Sequence, residues 1–232
     1  MCRLRNLLDI GDLTSNQIDT LWGVTLGGGN DLVTIDVGTG NVASTVALTG
    51  VNAGTGGGSI TSLAFNSVTG LLYGNTTASF GDTLRGDDLY TIDPLTGAVT
   101  FIGLINFDNI FALAFDQLGV LFGITSAGEL LSIDTGTGAG TSIAPGLGAG
   151  LFDLASRPGD NVMFLSSAFT ATLSTIDTGT GVISSVGSYA NADANNIVGL
   201  AFLGVPEPSS LALIGAALVA CSVRLSRRKT AA

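Results

Sequence analysis

Four near-copies of one short block constrain this chain more than any other feature: Leu32-Val-Thr-Ile-Asp36-Val-Gly-Thr39-Gly40, Leu89-Tyr-Thr-Ile-Asp93-Pro-Leu-Thr96-Gly97, Leu130-Leu-Ser-Ile-Asp134-Thr-Gly-Thr137-Gly138 and Leu173-Ser-Thr-Ile-Asp177-Thr-Gly-Thr180-Gly181. Their aspartates lie 57, 41 and 43 residues apart. Similarity at a fixed period of this size means stacked repeats, not one irregular core. Each block reads as strand, turn, strand. Asp36, Asp93, Asp134 and Asp177 are turn residues, because a carboxylate there can accept backbone N–H groups two residues on, and the closing glycine supplies the positive φ of a tight turn.

A second block recurs out of phase with the first, as Ile60-Thr-Ser-Leu-Ala-Phe65, Ile110-Phe-Ala-Leu-Ala-Phe115, Leu151-Phe-Asp-Leu-Ala-Ser156 and Ile197-Val-Gly-Leu-Ala-Phe202. A third, Leu21-Trp22-Gly23, Leu72-Tyr73-Gly74 and Leu121-Phe122-Gly123, places Trp22, Tyr73 and Phe122 at equivalent strand positions, where packing is their expected role. Each unit therefore holds three or four short strands. A small antiparallel sheet cannot cover both of its faces alone, so such units bury them on one another around an axis. The expectation is an all-β, β-propeller-like array of about four blades at 21–70, 71–119, 120–160 and 161–204. Residues 1–20 are left as an N-terminal remnant, with 7–20 suited to the end of a preceding blade.

Composition agrees with this. Hydrophobic residues make up 46% of the 232, yet glycine fills 34 positions and charged residues only 11%, which suits apolar strands and tight turns better than charged amphipathic helices. The net charge of −10 is unevenly spread, for between residues 6 and 204 only Arg85 and Arg157 face 17 acids. A body of this sign repels phosphate backbones, so nucleic acid is excluded as a partner. The cysteines, Cys2 and Cys221, offer no disulfide framework.

There is no histidine, so a Ser-His-Asp or Cys-His triad cannot be built. Carboxylate pairs for glycoside hydrolysis would have to come from Asp87-Asp88 or from Asp36, Asp93, Asp134 and Asp177. The repeated aspartates are better explained as turn formers, since they recur in every unit where an active site would not. No catalytic residue is assigned. An acidic body could hold structural calcium on oxygen ligands, but no Asp-x-Asp-x-Asp-Gly loop is present, and no metal ligand or other cofactor is assigned. The glycine runs at 27–29, 56–58 and 136–140 lack the following helix or Lys-Ser/Thr of a phosphate loop and read as loops. Arg85-Gly86-Asp87 spells an adhesion tripeptide and is also read as a loop.

After Gly204 the chain changes character. Val205-Pro206-Glu207-Pro208 opens onto an uncharged run of sixteen residues from Pro208 to Val223, and then Arg224, Arg227, Arg228 and Lys229. This tail, 205–232, resembles the PEP-CTERM sorting signal, with its motif at 205–208, an apolar helix at 209–223 and a basic cluster at 224–229. The resemblance implies an exported protein whose processing partner is an exosortase, a membrane-embedded enzyme acting near the motif. As a helix, sixteen residues reach only ~24 Å, against a hydrocarbon core of ~30 Å. The basic end prefers the cytoplasm and puts the body on the non-cytoplasmic side. The repeats in turn resemble the propeller-like repeats of secreted bacterial proteins, without the Gly-His and Trp-Asp marks of WD40 blades.

At the other end, Met1–Arg5 is basic, but Asp9 and Asp12 interrupt any apolar stretch of a signal peptide. Either the start is misassigned, the chain is a fragment, or export takes another route; the expectation is a piece of a longer parent. The functional expectation is an exported, non-catalytic repeat protein, a structural or binding component of the cell surface or extracellular matrix. The alternatives are a propeller-type extracellular enzyme acting on a glycan or similar polymer, and a permanently tail-anchored membrane scaffold.

Overall fold

The structure, a computed structural model, describes residues 10–26, 30–51, 59–77, 87–167, 170–189 and 199–204, without the side chains of 151 and 152. These residues form sixteen strands in four antiparallel sheets of four. The first sheet is β1 (Ile10–Ser15), β2 (Leu21–Thr25), β3 (Asp31–Ile35) and β4 (Val42–Ala47). The second is β5 (Ile60–Asn66), β6 (Leu71–Thr76), β7 (Asp88–Ile92) and β8 (Val99–Leu104). The third is β9 (Ile110–Phe115), β10 (Leu121–Thr125), β11 (Leu130–Ile133) and β12 (Gly140–Ala144). The fourth is β13 (Leu151–Ser156), β14 (Met163–Ser167), β15 (Thr172–Ile176) and β16 (Ile183–Ser188). Strands neighbour one another in chain order within every sheet, and the inner strands β1, β5, β9 and β13 contact one another in sequence. This is a four-bladed propeller arrangement.

The sheets group the strands one step earlier than the sequence units at 21–70, 71–119, 120–160 and 161–204. Ile60–Asn66, placed at the end of a unit by its sequence, opens the second blade, and Ile10–Ser15, placed in the 1–20 remnant, is the inner strand of the first. The reason is that sequence similarity fixes the period of a repeat but not its phase, which is decided by the strand that lacks a hairpin partner behind it. No helix among the described residues is long and apolar enough to cross a membrane. The apolar helix expected at 209–223 lies outside the described residues.

Three apolar cores lie between successive blades. Leu32, Ile60, Leu63, Leu72 and Tyr90 join the first to the second; Tyr73, Leu89, Ile110, Leu113 and Phe115 the second to the third; Phe122, Ile124, Leu130, Leu154 and Met163 the third to the fourth. The alternation of a strand sends successive residues to opposite faces, so Leu72 enters one core and Tyr73 the next. Both are apolar because both faces are covered. Each such side chain contributes about 1.5–3 kcal/mol by leaving water, and these cores dominate the stability.

An aromatic contact repeats with the blades. Trp22 meets Phe65 at 5.4 Å between ring centroids, Tyr73 meets Phe115 at 5.0 Å, and Phe164 meets Phe202 at 5.2 Å. In the first two pairs a β2-type strand touches the inner strand of the next blade. The third shows that residues 199–204 take the place of a fifth inner strand, beyond β13 and beside β1. Ser15 Oγ donates to the Phe202 carbonyl, and Leu13 packs against Gly199. Among the described residues no apolar core joins the fourth blade to the first; this short segment and polar contacts make that junction.

Candidate functional site

The four repeated aspartates cap their own turns. Asp134 Oδ1 accepts the N–H groups of Gly136 (3.0 Å) and Thr137 (2.7 Å) and the Thr137 hydroxyl (2.9 Å). Asp177 does the same with Gly179 and Thr180, Asp36 accepts from the Thr39 N–H and hydroxyl, and Asp93 from the Leu95 N–H and Thr96 hydroxyl. The glycines that close the turns, Gly40, Gly97, Gly138 and Gly181, have φ between 72° and 81° and donate to the aspartate carbonyls.

These donors favour the ionised carboxylate and hold all four below the ordinary Asp range; at Asp134 and Asp177 the threonine hydroxyl contributes most, then the threonine N–H. At Asp36 the Thr39 N–H leads and at Asp93 the Thr96 hydroxyl. A carboxyl with a depressed folded pKa stabilises the fold above its unfolded pKa of ~3.9 and loses that contribution as pH falls through the folded value. Thermal melts of Asp134→Asn and the parent from neutral to acid pH are therefore expected to differ by a small margin at pH 7, with the gap closing as the acid limb is reached. The carboxylates are exposed and sit in separate turns, and no group of three or more potential metal ligands exists among the described residues.

Asp87 and Asp88 are engaged inside the fold. Asp87 is buried, and its Oδ2 accepts from Ile110 N–H at 2.6 Å and from the Asn75 side-chain amide at 3.4 Å. Asp88 Oδ2 accepts from the Tyr90 hydroxyl at 3.2 Å. Asp87 thus ties the second blade to β9; Arg85 and Gly86 of the adhesion-like tripeptide lie outside the described residues. Trp22 and Tyr73 lie in the aromatic contacts above, and Phe122 lies in the core between the third and fourth blades.

The most unusual chemistry lies on the axis, at Asp12 and Asp153, neither of which the sequence singled out. Asp12 Oδ1 accepts from Leu13 N–H and Oδ2 from Leu63 N–H of the next inner strand, each at 2.7 Å. Asp153 repeats the pattern, with Oδ1 accepting from Leu154 N–H at 2.7 Å and Oδ2 from Leu200 N–H. An inner strand has one edge without a ladder partner, and its N–H groups need acceptors; these two carboxylates supply them. The two carboxyls interact directly, an arrangement that favours one of them holding a proton that the other accepts. Burial pushes both well above the usual carboxylate range, and the charge of Asp12 raises Asp153 further.

At the ends of the inner strands, Gln117 Nε2 donates to Gln17 Oε1 at 3.1 Å and to Ser156 Oγ at 3.3 Å, and Gln117 N–H donates to Asn161 Oδ1 at 2.7 Å. The axial cavity between the inner strands measures about 30 Å³, space for about one water and not for a substrate. The missed signal was present: Ile10-Gly-Asp12-Leu-Thr-Ser15 aligns with Leu151-Phe-Asp153-Leu-Ala-Ser156.

Fold and tail together define the class, a propeller-type protein that carries an export signal. Residues 204–229 match the PEP-CTERM protein-sorting motif. The motif implies export to the cell envelope or surface and processing by an exosortase-type membrane enzyme. Among solved structures the fold is similar to a protein of unknown function from Bacteroides thetaiotaomicron VPI-5482, at 17% identity and a TM-score of 0.55 over 75% of this chain and 42% of that one. It is also similar to Kuenenia stuttgartiensis hydrazine synthase (18%, TM-score 0.51, 79% and 51%) and to streptogramin B lyase (15%, TM-score 0.50, 82% and 59%). At these identities the likeness is one of fold alone, and the chain spans about half the length of these structures. No curated protein matches it in sequence.

Proposed function

We propose that the four-bladed body is a non-catalytic structural or binding component of the cell surface or extracellular matrix, and that its tail is a handle used during sorting. The observation that carries this reading is the sorting motif at 204–229, set directly after a propeller whose repeated carboxylates are engaged in their own turns. In this reading 209–223 enters the membrane, Arg224, Arg227, Arg228 and Lys229 stay on the cytoplasmic side, and the exosortase-type enzyme acts near Val205, Pro206, Glu207 and Pro208. The ~24 Å apolar span favours a temporary hold, because a stretch shorter than the ~30 Å core must thin the bilayer or rely on snorkelling residues.

The test is a double substitution, Pro206→Ala with Glu207→Ala, expressed in a host that has the processing enzyme. Full-length protein is expected to accumulate in the membrane fraction while the parent is released or transferred. Equal processing of both would remove the motif from the account.

A further inference from the structure

Strands β1 and β3 of each blade run one way and β2 and β4 the other, so the β1–β2 type loops and the aspartate turns share one end of the propeller. The chain leaves the body at that same end, since Gly204 lies against the backbone of Gln17 and Ile18. Three loops there present an aliphatic side chain at the same position. Ile18 is 72% exposed, Val68 63% and Leu118 78%, and Leu95 on the second aspartate turn is 86% exposed. Their backbones are held outward by matching bonds: Ile18 N–H donates to Asn16 Oδ1, Val68 N–H to Asn66 Oδ1, Leu118 N–H to Asp116 Oδ1 and Leu95 N–H to Asp93 Oδ1, all at 2.9 Å. Large aliphatic groups fixed in water on turns at one end of the propeller, at matching positions of three blades, leave apolar area that a contact at that end would cover.

We propose that this end of the propeller rests on a zwitterionic bilayer surface while the tail is in the membrane, with Ile18, Val68, Leu95 and Leu118 entering the headgroup region. The inference rests on the reading of 209–223 as a membrane segment. Only residues 205–208 separate Gly204 from that segment, so a fully extended connection reaches at most about 18 Å, and the body cannot stand clear of the lipid. The turn carboxylates Asp36, Asp93, Asp134 and Asp177 lie at the same end. They complement the outward ammonium groups of phosphatidylcholine or phosphatidylethanolamine and repel anionic headgroups.

The experiment uses the full chain in phosphatidylcholine vesicles whose acyl chains carry bromine as a quencher. An environment-sensitive fluorophore is placed, one site at a time, at Ile18→Cys, Leu118→Cys, Leu26→Cys on the opposite end, or native Cys221, with the other cysteines changed to serine. Labels at 18, 118 and 221 are expected to be quenched and the label at 26 not, with quenching at 18 and 118 weakened by added phosphatidylglycerol. Quenching at 221 with labels at 18 and 118 behaving like that at 26 would overturn the docked body and leave the tail reading intact; this is also the outcome if that end faces a protein instead. An unquenched label at 221 would overturn both.

Discussion

Replacing Asp12 with alanine is expected to cost roughly 2–6 kcal/mol, because it orphans two backbone donors at about 1–3 kcal/mol each. Those donors are the N–H groups of Leu13 and Leu63, and the loss falls at the axis beside the junction between fourth and first blades. There, among the described residues, no apolar core compensates. Chemical denaturation should report the loss as a lower midpoint. Asp12→Asn keeps one acceptor oxygen and should cost less, but it should change the pH response. The pair's folded pKa is raised, so the native state binds its proton more tightly than the unfolded chain does. That contribution is complete below the unfolded value of ~3.9 and is lost as pH rises through the folded value. The parent should therefore weaken as pH rises through the pair's folded value, and Asp12→Asn should flatten that decline. An unchanged decline with rising pH would mean that Asp12 and Asp153 do not share a proton.

Gly97→Ala is expected to cost about 2–5 kcal/mol, the sum of a left-handed conformation and a steric clash. Gly97 has a φ of 72°, and a Cβ there would overlap the carbonyl oxygen of Ala47 in the preceding blade. That oxygen cannot move freely, since Thr49 N–H donates to Gly97 O at 2.8 Å and Val99 N–H to Thr49 O at 2.9 Å, pinning the outer edges of two blades together. Gly70 is the matched control: its φ is 75° but nothing lies within 4 Å of a built Cβ. Gly70→Ala should show the conformational cost alone, about 1–2 kcal/mol. Equal losses for the two variants in thermal melts would refute the blade contact as the larger part.

The same glycine shows what could be read from sequence and what could not. Asp93, Thr96 and Gly97 lie within five residues of one another, so their turn chemistry is local and legible, and the recurrence of the block exposes the all-β repeat. That Gly97 must also be small for the sake of Ala47, fifty residues earlier, is a packing fact of the assembled ring. Asp12 was obscured for a related reason. Read along the chain, it interrupts an apolar start; only the fold places it beside Asp153, 141 residues away in sequence, and against Leu63. Blade phase was hidden because hydrophobic periodicity looks the same whichever strand is taken as first. The sorting tail was legible because its motif, apolar run and basic cluster are contiguous.

The fate of that tail separates a sorting handle from a permanent anchor. Intact-mass and C-terminal peptide measurement of the protein recovered from the surface or medium of a host with the processing enzyme is the most direct test. A mature C-terminus near Val205–Pro208, with residues 209–232 gone, is the predicted result; protein ending at Ala232, with Arg224 to Lys229 still attached, would contradict it.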